Sequence, residues 1–107
     1  MDGVWEISVD EVKANLGKFV LIDVRRDEEF HGELGHIDGA IFSTLQTQFQ
    51  KFVDTLSPDE TYVFVCRSGQ RSSMAASMAM EKGVANVYNM VGGMIAWNEK
   101  KYPVKRD

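Results

Sequence analysis

Two continuous apolar runs constrain the fold of this 107-residue chain more than any other feature. Phe19 to Val24 is interrupted only by Asp23, and Thr61 to Cys66 is rich in β-branched and aromatic residues. Runs of this length and content are typical of strands that are buried on both faces. Strands of this kind belong to parallel sheets, which need helices on their faces.

The segments around the two runs predict those helices. Ser8, followed three residues later by Glu11, has the capping-box pattern that begins a helix, and the apolar spacing through Leu16 stops at Gly17. Further helices are predicted at Asp27 to Phe30, at Leu45 to Leu56, from Ser72 as the N-cap to about Lys82, and after Gly92-Gly93, where Ile95 and Trp97 are apolar. The helix after Ser72 is expected to bury Met74, Ala75, Met78 and Ala79.

Three further short strands are predicted around Trp5, at Ala40 to Phe42 and at Val84 to Met90. Alternating strands and helices predict an α/β fold with a parallel sheet that is covered on both faces. The length of the chain is near the commonest size of one domain, so we expect one domain over residues 1–107.

Charge and hydropathy exclude several kinds of partner. The formal net charge of −4 gives no general attraction to nucleic acid or to an anionic membrane. No apolar run approaches the roughly 18 residues of a spanning helix, and the first residues lack a basic leader and an apolar signal core. We therefore expect a cytoplasmic protein with no nucleic-acid and no membrane partner, although a mature domain without its leader would look the same. With one cysteine and two histidines, we expect neither a metal nor a cofactor.

The one cysteine, Cys66, is the last residue of the second apolar run. Composition alone would make it a small buried apolar residue. Its position argues differently, because ligands of open α/β sheets bind beyond the carboxyl ends of the strands. The following loop leads into a helix N-terminus, where backbone N–H groups favour an anion. Arg67 and Arg71 should lower the pKa of the thiol, which would make Cys66 a nucleophile.

The rest of this loop is expected to bind an anionic substrate. Gly69 allows the backbone to curl around a ligand, and hydroxyl and amide side chains can add hydrogen bonds without adding charge. The predicted substrate-binding residues are Arg67, Ser68, Gly69, Gln70, Arg71 and Ser72.

Four motifs, in order, resemble the rhodanese family, also called thiosulfate sulfurtransferases. They are Asp23-Val24-Arg25, the glycine-rich segment from Gly35 to Ala40, the loop from Cys66 to Ser72, and the closing segment from Val91 to Trp97. The resemblance spans nearly the whole chain. It implies a five-stranded parallel sheet and a transfer of sulfur through a persulfide on Cys66. The implied partners are a small anionic sulfur donor, such as thiosulfate or polysulfide, and a thiol acceptor or a sulfur-accepting protein.

Two other functions remain open at this point. A sulfur-carrier or docking module that serves a dedicated partner protein would have the same sequence. A phosphatase of the related fold would have a loop one residue longer, Cys-x5-Arg, whereas Arg71 completes Cys-x4-Arg here. The loop length therefore favours sulfur transfer over phosphate hydrolysis.

Three further polar residues are expected to support the site. Asp23 and Arg25 lie at the end of the first buried strand, where an ion pair or hydrogen-bond brace is their simplest role, with contact between Arg25 and substrate as the alternative. His36 could act as a base for Cys66, but its glycine-flanked loop favours a hydrogen bond that fixes a turn.

Overall fold

In a computed structural model, which describes residues 4–45 and 48–107, five parallel strands form one sheet in the order β1-β5-β4-β2-β3. The strands are β1 (Trp5–Ile7), β2 (Val20–Asp23), β3 (Ile41–Phe42), β4 (Thr61–Val65) and β5 (Asn86–Met90). The two apolar runs became β2 and β4, which pair with each other near the middle of the sheet. The predicted α/β class and the five-stranded parallel sheet are confirmed.

In the described residues, four helices and a 3₁₀ turn connect the strands, and a fifth helix follows β5. They are α1 (Val9–Ala14), α2 (Asp27–Phe30), α3 (Phe49–Phe52), a 3₁₀ turn (Val53–Thr55), α4 (Gln70–Glu81) and α5 (Gly93–Glu99). Ser8 caps α1 as predicted, since its hydroxyl oxygen accepts from the Glu11 N–H at 3.1 Å. Leu16 was expected on this helix but lies beyond its end and is exposed, because the helix stops at Ala14.

The core has two layers because successive side chains of a strand point to opposite faces. On one face, Ile22 and Phe64 pack against residues of α3 and α4; on the other, Leu21 and Val63 pack against residues of α1 and α5. Full burial of a side chain such as Phe64 contributes about 1.5–3 kcal/mol. Trp97 is completely buried in the second layer, and its indole N–H donates to the Pro103 carbonyl.

Helix α4 differs from its prediction in two ways. It begins at Gln70, with Gly69 as the N-cap, so Ser72 lies inside the first turn and not at the cap. Met74, expected in the core, is 58% exposed. The buried face is made instead by Ser72 together with Ala75, Ala76 and Ala79. At about 100° per residue, Met74 lies about 200° around the helix from Ser72, so it is on the side opposite this buried face.

The helix predicted from Leu45 to Leu56 is also shorter in the structure. α3 covers only Phe49–Phe52 and then tightens into the 3₁₀ turn, although Phe49 and Val53 are buried as the apolar spacing predicts. Two residues of the predicted helix, 46 and 47, lie outside the described part of the chain.

Candidate active site

Cys66 directly follows β4, with β2 and β5 on either side of that strand. Its side chain is buried, with 1% of the residue exposed. Helix α5 holds the backbone here, because the Met94 N–H donates to the Cys66 carbonyl at 2.9 Å and the Ile95 N–H donates to the Arg67 carbonyl at 3.1 Å. Gly93 makes this contact possible, since a Cβ at Gly93 would lie 2.5 Å from both carbonyl oxygens. The C-terminal helix therefore fixes the start of the loop.

The sulfur of Cys66 lies inside a turn of hydrogen-bond donors. The Gly69 N–H donates to Sγ at 3.0 Å, and the Ser72 hydroxyl lies 3.2 Å from the same atom. Gly69 has a φ of +113°, which is accessible to glycine at low cost and lets the loop curl back over the sulfur. Gly69 is thus both the N-cap of α4 and a hydrogen-bond donor to the sulfur.

The pKa of the Cys66 thiol is lowered from its ordinary value. Burial by itself raises that pKa, but hydrogen bonds from the Ser72 hydroxyl and from the backbone N–H groups of Ser72, Gly69 and Ser68 outweigh the burial. From the sequence, a lowered pKa was expected from Arg67 and Arg71 together with the N-terminus of the following helix. In the structure the causes that lower the pKa are uncharged donors, first the Ser72 hydroxyl and then backbone N–H groups at the start of α4, which agrees with the expected helix terminus and gives the arginines a smaller part.

Arg71 lies beside the sulfur but is held by a carboxylate. Its guanidinium donates two hydrogen bonds to Glu29 of α2, at 2.7 and 2.8 Å. The hydrogen bonds from Arg71 hold the pKa of Glu29 at about 2, and the same contact raises the pKa of Arg71. Sequence reasoning missed Glu29, because it is one of three acidic residues in a short helix and lies 42 positions from Arg71.

The other side chains predicted for the loop face outward. Arg67, Ser68 and Gln70 are exposed, so Arg67 is the loop cation that remains open to solvent. A cleft of about 270 Å³ lies against Arg67, and its other lining residues are Arg25, Glu28, Glu29, Gly32, Glu33 and Leu34. An anion that enters this cleft therefore meets both signs of charge.

Asp23 and Arg25 form a buried ion pair at the end of β2. The guanidinium donates to both carboxylate oxygens at 2.9 and 2.8 Å, and a further hydrogen bond goes to the Gly35 carbonyl at 2.6 Å. Both side chains are about 1% exposed. Through the bond from Nη2 to the Gly35 carbonyl, Arg25 supports the glycine-rich loop that contains His36.

His36 contacts the end of α2 and the C-terminal segment. Its Nδ1 lies 2.9 Å from the Phe30 carbonyl, its ring stacks on that of Phe30, and its backbone pairs with Lys105. None of its hydrogen bonds in the described ranges goes to Cys66. These contacts are those of a residue that fixes a turn.

Residues 4–45 and 48–107 contain no group of three or more His, Cys, Asp or Glu side chains that could hold a metal ion. Over the same ranges, each helix is too short or too polar to cross a membrane.

Known proteins resemble this chain over nearly its whole length. The family described as "Rhodanese-like domain" matches residues 8–100. YtwF of Bacillus subtilis is 38% identical over 103 residues, covering 94% of this chain and 96% of YtwF. Thiosulfate sulfurtransferase GlpE of Shewanella oneidensis is 35% identical over 79 residues, covering 74% of this chain and 75% of GlpE. The crystal structure of a rhodanese-related protein from Thermoplasma volcanium superimposes with a TM-score of 0.86 at 25% identity, covering 96% of this chain and 99% of that one.

Proposed function

The chain belongs to the rhodanese-like sulfurtransferase family, and we propose that it transfers sulfane sulfur from an anionic donor to a thiol through a persulfide on Cys66. One observation carries this proposal. The sulfur of Cys66 is buried at the end of the central strand, where the Gly69 N–H donates to it at 3.0 Å and the Ser72 hydroxyl of α4 lies 3.2 Å away. That setting favours a thiolate, which is the nucleophilic form of cysteine.

The reaction balances without a cofactor. The Cys66 thiolate attacks the outer sulfur of thiosulfate, the S–S bond of thiosulfate breaks, and sulfite leaves with the bonding electron pair. The product is a persulfide anion on Cys66. An acceptor thiolate or cyanide then attacks the outer sulfur, and the Cys66 thiolate leaves in its original state. Because the persulfide is also an anion, the N–H groups of the loop can serve both half-reactions.

Mass spectrometry of the intact chain tests the first half-reaction. Incubation with thiosulfate or polysulfide should add the mass of one sulfur atom, and cyanide or a thiol should remove it. Cys66→Ser should never gain that mass. Ser77→Ala, a small change elsewhere on α4, is a control that should react like the wild type. Wild-type protein that gains no sulfur from either donor would refute the proposal.

A second function, sulfur carriage for a dedicated partner protein, is favoured by one feature. Glu29 engages Arg71, and two more glutamates line the cleft, so the charge that attracts a small dianion is partly cancelled. If the protein is such a carrier, thiosulfate should load Cys66 slowly while a persulfide on a partner protein loads it quickly. Comparing the two loading rates at equal donor concentration distinguishes the functions.

A further inference from the structure

The hydroxyl of Ser72 lies between two groups that compete for its proton. Its Oγ is 3.2 Å from Cys66 Sγ and 2.5 Å from the side-chain oxygen of Asn89 on β5. Ser72 is completely buried and Asn89 is 5% exposed, so water has little access to this contact. A hydroxyl has one proton to donate, and it can satisfy only one of the two acceptors at a time.

Ionisation of Cys66 changes which acceptor receives the proton. A thiolate accepts hydrogen bonds and donates none, and bonds to a charged acceptor are about twice as strong as neutral ones. The Ser72 proton should therefore point at the sulfur once Cys66 is ionised. The Asn89 oxygen would then face the Ser72 oxygen with no proton between them, which is unfavourable.

The amide of Asn89 can resolve this conflict by rotating. It carries an NH₂ donor beside its oxygen, so a half-turn of the amide presents N–H to Ser72. After the rotation, Asn89 donates to Ser72 and Ser72 donates to the sulfur, and each bond in such a chain polarises the next.

We propose that Asn89 is a positioning residue for Cys66: its amide accepts from Ser72 while the sulfur is neutral and donates to Ser72 when the sulfur is ionised. The proposal deepens the proposed function, since it concerns the nucleophile of that site. It concerns ionisation alone, however, and can be tested without any sulfur donor. Failure of the Asn89 proposal is therefore distinguishable from failure of the proposed sulfur transfer.

A change in the ionisation of Cys66 on substitution of Asn89 would not come from the charged groups around the sulfur, because the substitution leaves those groups unchanged. They are Arg67 in the loop, Arg71 on α4, Glu29 on α2 and the Asp23–Arg25 pair at the end of β2. From β5 and α5 the neighbours of the loop are uncharged, namely Asn89, Gly92 and Gly93.

The test measures the rate of alkylation of the full chain by iodoacetamide across pH. Cys66 is the only cysteine, so the rate reports this one thiol. Asn89→Leu removes both functions of the amide. The midpoint of the pH profile should then rise by roughly 0.5–1 unit, because the ionised state loses its donor to the Ser72 oxygen, whereas in the neutral state Ser72 can turn its proton to the sulfur instead. In a Ser72→Ala background the same change should leave the midpoint where Ser72→Ala alone puts it. Asn86→Leu, on the same strand, is the matched control and should not move it.

Two results would overturn the proposal. One is an unchanged midpoint in Asn89→Leu, and the other is an equal shift in both backgrounds, which would mean that Asn89 does not act through Ser72. If Asn89→Leu does not fold, NMR of the wild type replaces it. The side-chain NH₂ resonances of Asn89 should then shift with the midpoint of the alkylation profile, and this shift should be lost in Ser72→Ala. Asn89 resonances that do not change with the ionisation of Cys66 in the wild type would equally refute the proposal.

Discussion

Replacing Glu29 by glutamine should destabilise the fold and accelerate the reaction with an anionic donor. The glutamine side chain keeps an oxygen for the Arg26 N–H at the start of α2, so the change removes chiefly the negative charge that faces Arg71. Stability and reactivity should therefore change in opposite directions.

The size of the stability effect follows from the pKa of Glu29. A pKa lowered from 4.5 to about 2 corresponds to about 3 kcal/mol if the whole shift stabilised the fold. The Arg71 side chain is 28% exposed, and solvent screens such a pair, so we expect a loss of about 1–2 kcal/mol at pH 7. In a chain of this length that is a fall in Tm of roughly 4–8 °C.

The pH dependence of the difference in unfolding free energy between wild type and Glu29→Gln provides a sharper assay than its size at one pH. A carboxylate whose pKa is lower in the folded state stabilises the fold above its unfolded pKa, and that stability is lost as pH falls through the folded pKa. Urea unfolding of both proteins should show the full difference above pH 5, and the difference should shrink to nothing as pH approaches 2. Glu28→Gln loses the same charge from a side chain that is 71% exposed, so it is the matched control and should change stability little. A difference between wild type and Glu29→Gln that stayed constant between pH 5 and pH 2 would refute the reasoning.

In Glu29→Gln the positive charge of Arg71 is no longer neutralised by a carboxylate, so it attracts an anionic donor to the sulfur more strongly. Formation of the Cys66 persulfide from thiosulfate should become faster, while alkylation by uncharged iodoacetamide should change less. If the thiosulfate rate fell, Glu29 would be needed to orient Arg71 and would not merely neutralise it.

Two further predictions concern the loop and its support. Arg67→Ala should slow persulfide formation from thiosulfate about fivefold, the effect of one exposed charge, with a smaller effect on iodoacetamide alkylation; equal losses for both reagents would point to a change in the thiol itself. Gly93→Ala should destabilise the protein by more than about 2 kcal/mol, since its Cβ would collide with the Cys66 and Arg67 carbonyls. Gly83→Ala places alanine at a φ of +97°, further from the left-handed helical region than the +59° of Gly93, but in open space, so a larger loss of thermal stability in Gly93→Ala must come from the collision and not from backbone strain.

Much of the framework was predictable because it depends on local patterns. The apolar runs that became β2 and β4 are long enough to identify buried strands, and Cys66 is the last residue of the second run and directly follows β4. The start of α4 was misplaced because Ser72 is a good N-cap by residue type. In the structure its hydroxyl contacts the sulfur instead, and Gly69 occupies the cap.

The charges around the site could not be predicted in the same way. The pairing of Glu29 with Arg71 depends on where α2 packs relative to the loop, and nothing in the acidic segment from Asp27 to Glu29 distinguishes one carboxylate from its neighbours. Asn89 did leave a signal, since a polar residue within a short buried strand needs a partner. The sequence could not identify Ser72 as that partner.

The docking of α5 on the loop has a consequence for how the site moves. The amide protons of Met94 and Ile95 are bonded to the carbonyls of Cys66 and Arg67, so they can exchange with solvent only when helix and loop separate. Their exchange rates therefore measure how often the loop around Cys66 opens. A partner or ligand that clamps the loop should slow the exchange of two amides that it never touches.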